Sequence, residues 1–334
     1  METNGLAKEI RNLPNSSDYI AAVSVEHNIL VPALKGGYVL QDKGQIVNYT
    51  GAFCIVFPYI VDNKKYAIRC WRCLDTDLKE RITRKAEIIS EELSKLNLPY
   101  FLKYAYHENG INTSKGRQPL VVMDWTDNGK LKDYIANHIN EPDTLRRLSE
   151  SFMQMVKKLH DNNISHGDLQ PNNILVNKNG QLLLIDYDTL YLPKLEGERD
   201  NIGGLPEFQH KARFSNRLLT PKADYFSELV IYISLRSLSK FPSLWHELKL
   251  ADSKHLMFSV EDLNSEGTSD IFKRLRNDPE LKSLTDILIS FLKKGSIEEL
   301  LPLEESTIIP PNEQHGRLPL LSCPVFAGLH RNMP

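Results

Sequence analysis

His166-Gly167-Asp168-Leu169-Gln170-Pro171-Asn172-Asn173-Ile174-Leu175-Val176, with Ile185-Asp186-Tyr187-Asp188 a few residues on, decides the reading of this 334-residue chain. Asp168 and Asn173 are five positions apart, Asn173 and Asp186 thirteen. Before the stretch, Pro142 to Asp161 reads as a long amphipathic helix. Pro142 suits a first turn, and Leu145, Leu148, Phe152, Val156 and Leu159 recur on one face. After it, the turn Asn177-Lys178-Asn179-Gly180 leads into a short apolar strand, Gln181 to Ile185. The pattern is helix, loop, strand, loop, with oxygen-bearing side chains gathered in the two loops. One plain alternative is that Asp168 and Asn173 only cap a turn between helix and strand.

Outward from that centre, Met1 to about Asp18 is polar and reads as loose. Tyr19 to Val23, Tyr38 to Leu40 and Ile46 to Tyr49 read as short strands or extended segments, punctuated by Gly36-Gly37 and Asp42-Lys43-Gly44. Ala52 to Ile60 and Tyr66 to Trp71 form a predicted hairpin turning at Asp62-Asn63-Lys64. Thr76 to Lys95 is a predicted helix with Leu78, Ile82, Ala86, Ile89, Leu93 and Leu96 at three- or four-residue steps and Thr76 as N-cap. Phe101 to His107 and Leu120 to Trp125 are strand-like, and Leu131 to Ile139 is a short helix. From Ala223 onward the chain is helical. Phe226 to Leu235 is apolar almost all round, as a helix inside a lobe must be. Asp278 to Lys294 reads as an ordinary amphipathic helix. The tail beyond Leu301 carries Pro302, Pro310, Pro311, Pro319, Pro324 and Pro334 and reads as extended. Strands first and helices afterwards make an α+β protein. The expected divisions are an extension at 1–45, a small antiparallel β lobe with one helix at 46–125, a larger, mainly helical lobe at 126–300, and a proline-rich tail at 301–334.

Composition closes off several classes. A net charge of −2 gives no basic excess for nucleic acid or an anionic membrane. No apolar run reaches the ~18 residues that span a bilayer. The polar stretch Met1 to Ser17 has no secretory apolar core, so the expected setting is cytoplasmic. Four cysteines are too few for a disulfide scaffold. Cys70-Trp71-Arg72-Cys73 has no second pair to complete a zinc site, so buried thiols are expected there. Oligomeric state is not readable from these features.

The central stretch resembles the catalytic loop and metal-binding segment of the protein-kinase superfamily, H-R-D-L-x-x-x-N followed by D-F-G. On these residues the chain is identified as similar to a divergent, bacterial-type eukaryotic-like serine/threonine protein kinase domain of two lobes, with the resemblance covering about Ile46 to Leu235. It implies ATP and Mg²⁺, and a protein substrate or interaction partner. Asp168 would be the carboxylate that orients the attacking hydroxyl, and Asn173 and Asp186 the metal ligands, hard oxygen donors that suit Mg²⁺. Met123-Asp124-Trp125-Thr126-Asp127-Asn128-Gly129 resembles the hinge between lobes, with Met123 at the gatekeeper position and backbone groups of the hinge, Asp124 and Thr126 among them, meeting adenine. Leu175 would pack beneath the adenine ring. Gly204-Leu205-Pro206-Glu207-Phe208 resembles the peptide-docking segment G-T-P-E-Y. Asp224 stands where the family has an aspartate anchoring the catalytic loop.

The departures are equally specific. The family's strand lysine is Arg69 here, which can grip a phosphate bidentately but is bulkier. The helix glutamate that should pair with it is replaced by Ile89 on one count, with Glu87, Glu91 and Glu92 nearby. Of the glycine-rich loop only Gly51 survives. Gln170 replaces a lysine that touches the γ-phosphate and keeps an amide donor. Gly167 replaces an arginine, leaving no receptor for a phosphate in the activation segment. Between Asp186 and Gly204 the only hydroxyls are Tyr187, Thr189 and Tyr191, so control by phosphorylation is not expected there. Asp188 replaces the glycine of D-F-G. Gln209-His210-Lys211-Ala212 replaces A-P-E, so its usual buried ion pair should be missing. Three functions stay open: a divergent protein kinase, a pseudokinase that binds nucleotide or scaffolds proteins, and a small-molecule kinase of the aminoglycoside/choline type, which Gly167 and Asp188 resemble.

Overall fold

The structure, a computed structural model, describes residues 13–51, 53–72, 76–200, 203–215 and 217–307. Its first element is a helix, α1 (Ser16–Val23), where the sequence suggested a strand over Tyr19 to Val23. A capping box explains the difference. The Asn15 side chain accepts from the Asp18 N–H, and the Asp18 carboxylate accepts from the Asn15 N–H. Tyr19, Ala22 and Val23 then fall on one buried face.

Six strands follow in the small lobe: β1 (Tyr38–Val39), β2 (Gln41–Asp42), β3 (Gln45–Ile46), β4 (Tyr49–Thr50), β5 (Cys54–Val61) and β6 (Lys64–Trp71). The β5–β6 turn works because Asp62 and Asn63 both sit at positive φ, 47° and 62°, a region these two side chains tolerate. Next come the helix α2 (Thr76–Lys95), of which Thr76 is the first residue rather than the cap, and the strands β7 (Tyr104–Thr113) and β8 (Gly116–Asp124). The main sheet is antiparallel in the order β1-β5-β6-β8-β7, with β4 pairing with β5 on the same edge as β1.

Alternation along β6 divides the work of its side chains. Ile68 and Cys70 point outward into a core shared with Tyr19, Val31, Leu34, Phe57 and Tyr59. Arg69 and Trp71 point the other way, and Trp71 joins the large core with Ala86, Ile89 and Leu93 of α2. The segment before residue 46 therefore packs on the small lobe, and the Tyr19 hydroxyl donates to the Trp71 carbonyl at 3.0 Å. Cys70 is a buried free thiol; Cys73 lies outside the described residues. Among the described residues no cluster of His, Cys, Asp and Glu could hold a metal by itself, and no helix is long and apolar enough to cross a membrane.

The large lobe opens with β9 (Gly129–Lys130), α3 (Leu131–Asn137) and α4 (Pro142–Asp161). Two short strands, β10 (Ile174–Val176) and β11 (Leu182–Leu184), follow, and then α5 (Tyr225–Lys240), with twelve of its 16 residues buried. The remaining helices are α6 (Leu244–Glu247), α7 (Val260–Asn264), α8 (Asp270–Arg276), α9 (Pro279–Leu292) and α10 (Leu303–Ser306). Helix α10 docks against α4 and α5 with Leu303 fully buried. The start of the proline-rich tail thus packs back on the lobe, and the prolines from Pro310 onward lie outside the described residues.

The α4–α5–α10 corner is polar at its centre. His160 Nε2 lies 3.0 Å from Glu228 Oε1 and Nδ1 lies 2.9 Å from Glu304 Oε2. Burial works against a charged ring, but the two carboxylates outweigh it and raise His160 to about 9. Burial pushes Glu228 up to about 7, against the pull of His160. Both groups hold their protons more tightly folded than unfolded. Their contribution is therefore whole below about pH 4.5 and fades as pH climbs through 7 and then 9. Wild type is expected to lose about 2 kcal/mol more than His160→Gln between pH 7.5 and 9.5. Urea midpoints across that range are the check; parallel curves would show that the ring is not charged.

Candidate functional site

The cleft between the lobes is built around the loop after α4. His166 is fully buried and fixes the loop from within. Its Nε2 donates to the Ile185 carbonyl at 2.8 Å, which leaves Nδ1 to accept from the Asp168 N–H at 3.3 Å. Asp224, the residue before α5 and fully buried, accepts the backbone N–H of His166 and of Gly167, the latter at 2.9 Å. The loop is thus anchored where the resemblance placed the anchor.

Gly167 has φ +82°, and a Cβ there would lie 2.3 Å from the Thr189 carbonyl oxygen. An arginine cannot occupy this backbone, so the residue is a geometric requirement rather than a simple loss. Gly167→Ala is expected to destabilise the protein by on the order of 2–3 kcal/mol. A urea midpoint shift under about 0.5 kcal/mol would mean the loop can reshape freely.

Asp168 is 8% exposed. Its Oδ2 accepts from Gln170 Nε2 at 2.9 Å and from Asn173 Nδ2 at 3.0 Å, and Asn173 Nδ2 also donates to the Asp168 carbonyl at 2.8 Å. Its Oδ1 is buried and has no protein partner. An ionised carboxylate only accepts, so both amides are fixed with nitrogen toward Asp168. Gln170 therefore turns its amide nitrogen, and one of its two N–H groups, to Asp168. Its remaining atom, Oε1, is an acceptor, also buried and unpartnered.

The pairing Ile174↔Leu184, with the Ile185 N–H donating to the Asn173 carbonyl at 3.0 Å, brings Asn173 beside Asp186. Asp186 has a left-handed φ of 65°, and its side chain is 53% exposed. Partial burial, then the neighbouring Asp188 carboxylate, raise its affinity for a proton. A carboxylate with excess negative charge beside it and an amide carbonyl whose nitrogen is committed elsewhere make a hard-oxygen pair. Such a pair fits Mg²⁺, an ion that takes one or two protein oxygens and completes its shell with phosphates and water.

Arg69 enters from β6 with its side chain 7% exposed. Its Nη2 donates to Asp188 Oδ2, and Nη1 is 3.9 Å from Asp186 Oδ1. None of the helix glutamates considered from sequence serves it. Ile89 is buried in the core, and Glu91 and Glu92 pair with Lys194 at 3.8 and 2.8 Å. The acid comes from the activation segment instead. Lys85, one turn before Ile89 on α2, is the helix residue that reaches in, its Nζ donating to the Asp188 carbonyl. Burial lowers its pKa to about 8, with Asp188 pulling the other way. Sequence reasoning missed Lys85; its i, i+4 relation to Ile89 was the available signal.

Tyr187 stands where D-F-G has phenylalanine and packs on Phe101 and Tyr104, with ring centroids 5.6 and 5.5 Å away. Its hydroxyl accepts the Leu102 N–H and donates to the Leu184 carbonyl, both at 2.8 Å. On the sheet side, Met123 is half-buried on β8 between Ala67 and Tyr104. The Asp124 side chain pairs with Lys64 at 3.0 Å and its N–H donates to the Lys103 carbonyl at 3.2 Å. Thr126 Oγ1 accepts the Asn128 N–H at 3.2 Å. Leu175 is 7% exposed on β10. The Gly51 N–H donates to the Cys54 carbonyl at 2.9 Å, and Arg72 holds the Gly51 carbonyl. Arg69, Asp168, Gln170, Asn173 and Asp186 thus meet at one place. Met123 and Asp124 lie at the end of β8, with Thr126 just after it, and Gly51 follows β4.

The family description "protein kinase domain" matches residues 50–295. The chain belongs to the protein kinase family. The kinase domain is 29% identical over 161 residues to a probable serine/threonine-protein kinase of Dictyostelium discoideum, which covers 45% of this chain and 32% of that one. It is 23% identical over 192 residues to the serine/threonine-protein kinase max-2 of Caenorhabditis elegans, 54% of this chain and 29% of the other. It is 39% identical over 69 residues to the liver/testis phosphorylase b kinase gamma catalytic chain of Bos taurus, 20% of this chain and 17% of that one. The chain thus spans about a third or less of the length of these relatives. The two-lobed α+β architecture is the one this family membership requires.

Proposed function

We propose that this kinase domain is an ATP-dependent phosphotransferase that moves the γ-phosphate to serine or threonine hydroxyls of proteins. The observation that carries the reading is the state of Asp168. One carboxylate oxygen is held by two amides while the other has no partner. A carboxylate fixed in this way orients an incoming hydroxyl and accepts its proton as the phosphoryl group departs from ATP. Gln170 and Asn173 keep it in that orientation. Asn173 and Asp186 are the residues that would hold Mg²⁺, which supplies neutralisation of phosphate charge when bound. Arg69 would grip phosphate with the part of its guanidinium fork not engaged by Asp188. Leu175, Met123 and the main chain of Asp124 to Thr126 would receive adenine, with Gly51 in the loop that would cover it. Names carried by the relatives point to serine and threonine as acceptors, and a cytoplasmic setting suits the free thiols Cys54 and Cys70.

A pseudokinase is the second reading, and one observation favours it. Arg69 is already paired with Asp188, and the Gly51 N–H is already spent within its own hairpin. Thermal unfolding with ATP alone, Mg²⁺ alone and both separates the two. A ligand at 100 times its Kd stabilises the native state by about 2.7 kcal/mol, a rise of a few degrees. The transferase reading expects that rise only with ATP and Mg²⁺ together. No rise would mean that Asp188 has closed the phosphate site.

A further inference from the structure

The activation segment cannot be organised by phosphorylation in the usual manner. Gly167 carries no side chain to receive a phosphate, and its backbone admits none. The segment's three hydroxyl residues, Tyr187, Thr189 and Tyr191, are all buried. Thr189 Oγ1 donates to the His166 carbonyl at 2.9 Å and Tyr187 is bonded on both sides, so neither can be modified without taking the cleft apart.

The same region nevertheless contains a buried cation whose two terminal nitrogens are both engaged. Arg213 is 4% exposed. Its Nη1 donates to the Gly167 carbonyl, adjacent to Asp168, and to Gln209 Oε1; its Nη2 donates to Asp200 Oδ2 at 2.6 Å. Asp200 is likewise 4% exposed, and its N–H donates to the Arg217 carbonyl at 2.9 Å. Three separate stretches, the catalytic loop, the end of the docking segment and the activation segment, therefore meet on one guanidinium. Gly204 is packed into this junction. A Cβ there would lie 2.8 Å from Asp168 Oδ1 and 2.7 Å from Gln209 Nε2, so the docking segment rests directly on the carboxylate. Gln209-His210-Lys211-Ala212 stands in place of A-P-E, and the buried ion pair found here, Arg213 with Asp200, is made by other residues.

We propose that Arg213 is a positioning residue for Asp168, and that the carboxylate of Asp200 does permanently what a phosphate on the activation segment does elsewhere, holding the catalytic loop and docking segment in register without modification. Charge-assisted bonds from a planar fork to a carboxylate and two carbonyl-type oxygens fix angle as well as distance. An added phosphate orders a segment through the same kind of arginine contact. Here the charge is part of the sequence and cannot be removed by a phosphatase.

This proposal rests on the transferase reading, and its test separates the two. Phosphotransfer to a serine-containing protein acceptor is measured for wild type, Asp200→Asn and Arg213→Lys, with wild type also assayed after exhaustive phosphatase treatment. The expectation is that kcat falls about a hundredfold in both variants, the scale of a 1 Å misplacement, while KM for ATP changes less than twofold. Asp200→Ala should regain activity with added formate and not with chloride at equal ionic strength. Phosphatase-treated wild type should keep its rate. Unchanged kcat in a folded Asp200→Asn or Arg213→Lys, or loss of wild-type rate on phosphatase treatment, overturns the proposal. If wild type transfers nothing, the transferase reading fails and hydrogen exchange decides the anchoring alone. Faster exchange of the His166, Gly167 and Phe208 amides in Asp200→Asn, with α4 unchanged, supports it; identical exchange overturns it.

Discussion

Asp168→Asn should reduce phosphotransfer by about a hundredfold to ten-thousandfold while leaving ATP binding with Mg²⁺ within about twofold of wild type. The physical reason is local. The substitution keeps size and keeps one oxygen to accept from Gln170 and Asn173, but removes the proton acceptor at the position of Oδ1. Equal transfer by wild type and variant, measured with γ-labelled ATP under single-turnover conditions, would mean that the proton leaves by another route. Loss of nucleotide binding together with transfer would instead assign Asp168 to the metal site.

Asp224→Ala should be the most destabilising single change in the cleft, at about 3–5 kcal/mol. The carboxylate is fully buried and takes the N–H groups of His166 and Gly167. Truncation leaves two backbone donors in the interior without partners, each costing about 1–3 kcal/mol. The loss is read as a lower urea midpoint at unchanged m-value. A cost under 1 kcal/mol would show that water replaces the carboxylate and that the loop is anchored mainly by His166 through the Ile185 carbonyl.

Much of this was legible in the sequence because it depends on short-range offsets. The distances from Asp168 to Asn173 and on to Asp186 are set by one loop and one hairpin, and periodicity gave α4 its bounds to the residue. Asp224 could be placed because the family resemblance puts an anchoring aspartate at the start of the buried helix, sixteen residues beyond Phe208. What was not legible depended on long-range choices. The Arg69 partner could not be found by counting along α2, because the acid lies 119 residues away on the activation segment. The donor of Gln170 could be assigned only once its neighbour was known to be a carboxylate. Arg213 and Asp200 sit in stretches with no periodic signal, and only tertiary structure brings them together. Local chemistry also misled at Tyr19 to Val23. Its apolar run suited a strand, and the capping box from Asn15 and Asp18 decided for a helix.

The central claim is that the Asp168 constellation transfers phosphate to protein hydroxyls. The most direct test is incubation of the full chain with γ-labelled ATP, Mg²⁺ and a serine- and threonine-bearing protein, followed by acid hydrolysis and separation of the phosphoamino acids. Label in phosphoserine or phosphothreonine, absent with Asp168→Asn, is the predicted result. A chain that is stabilised by ATP and Mg²⁺ together yet leaves no label on any protein would contradict the claim and make it a nucleotide-binding pseudokinase.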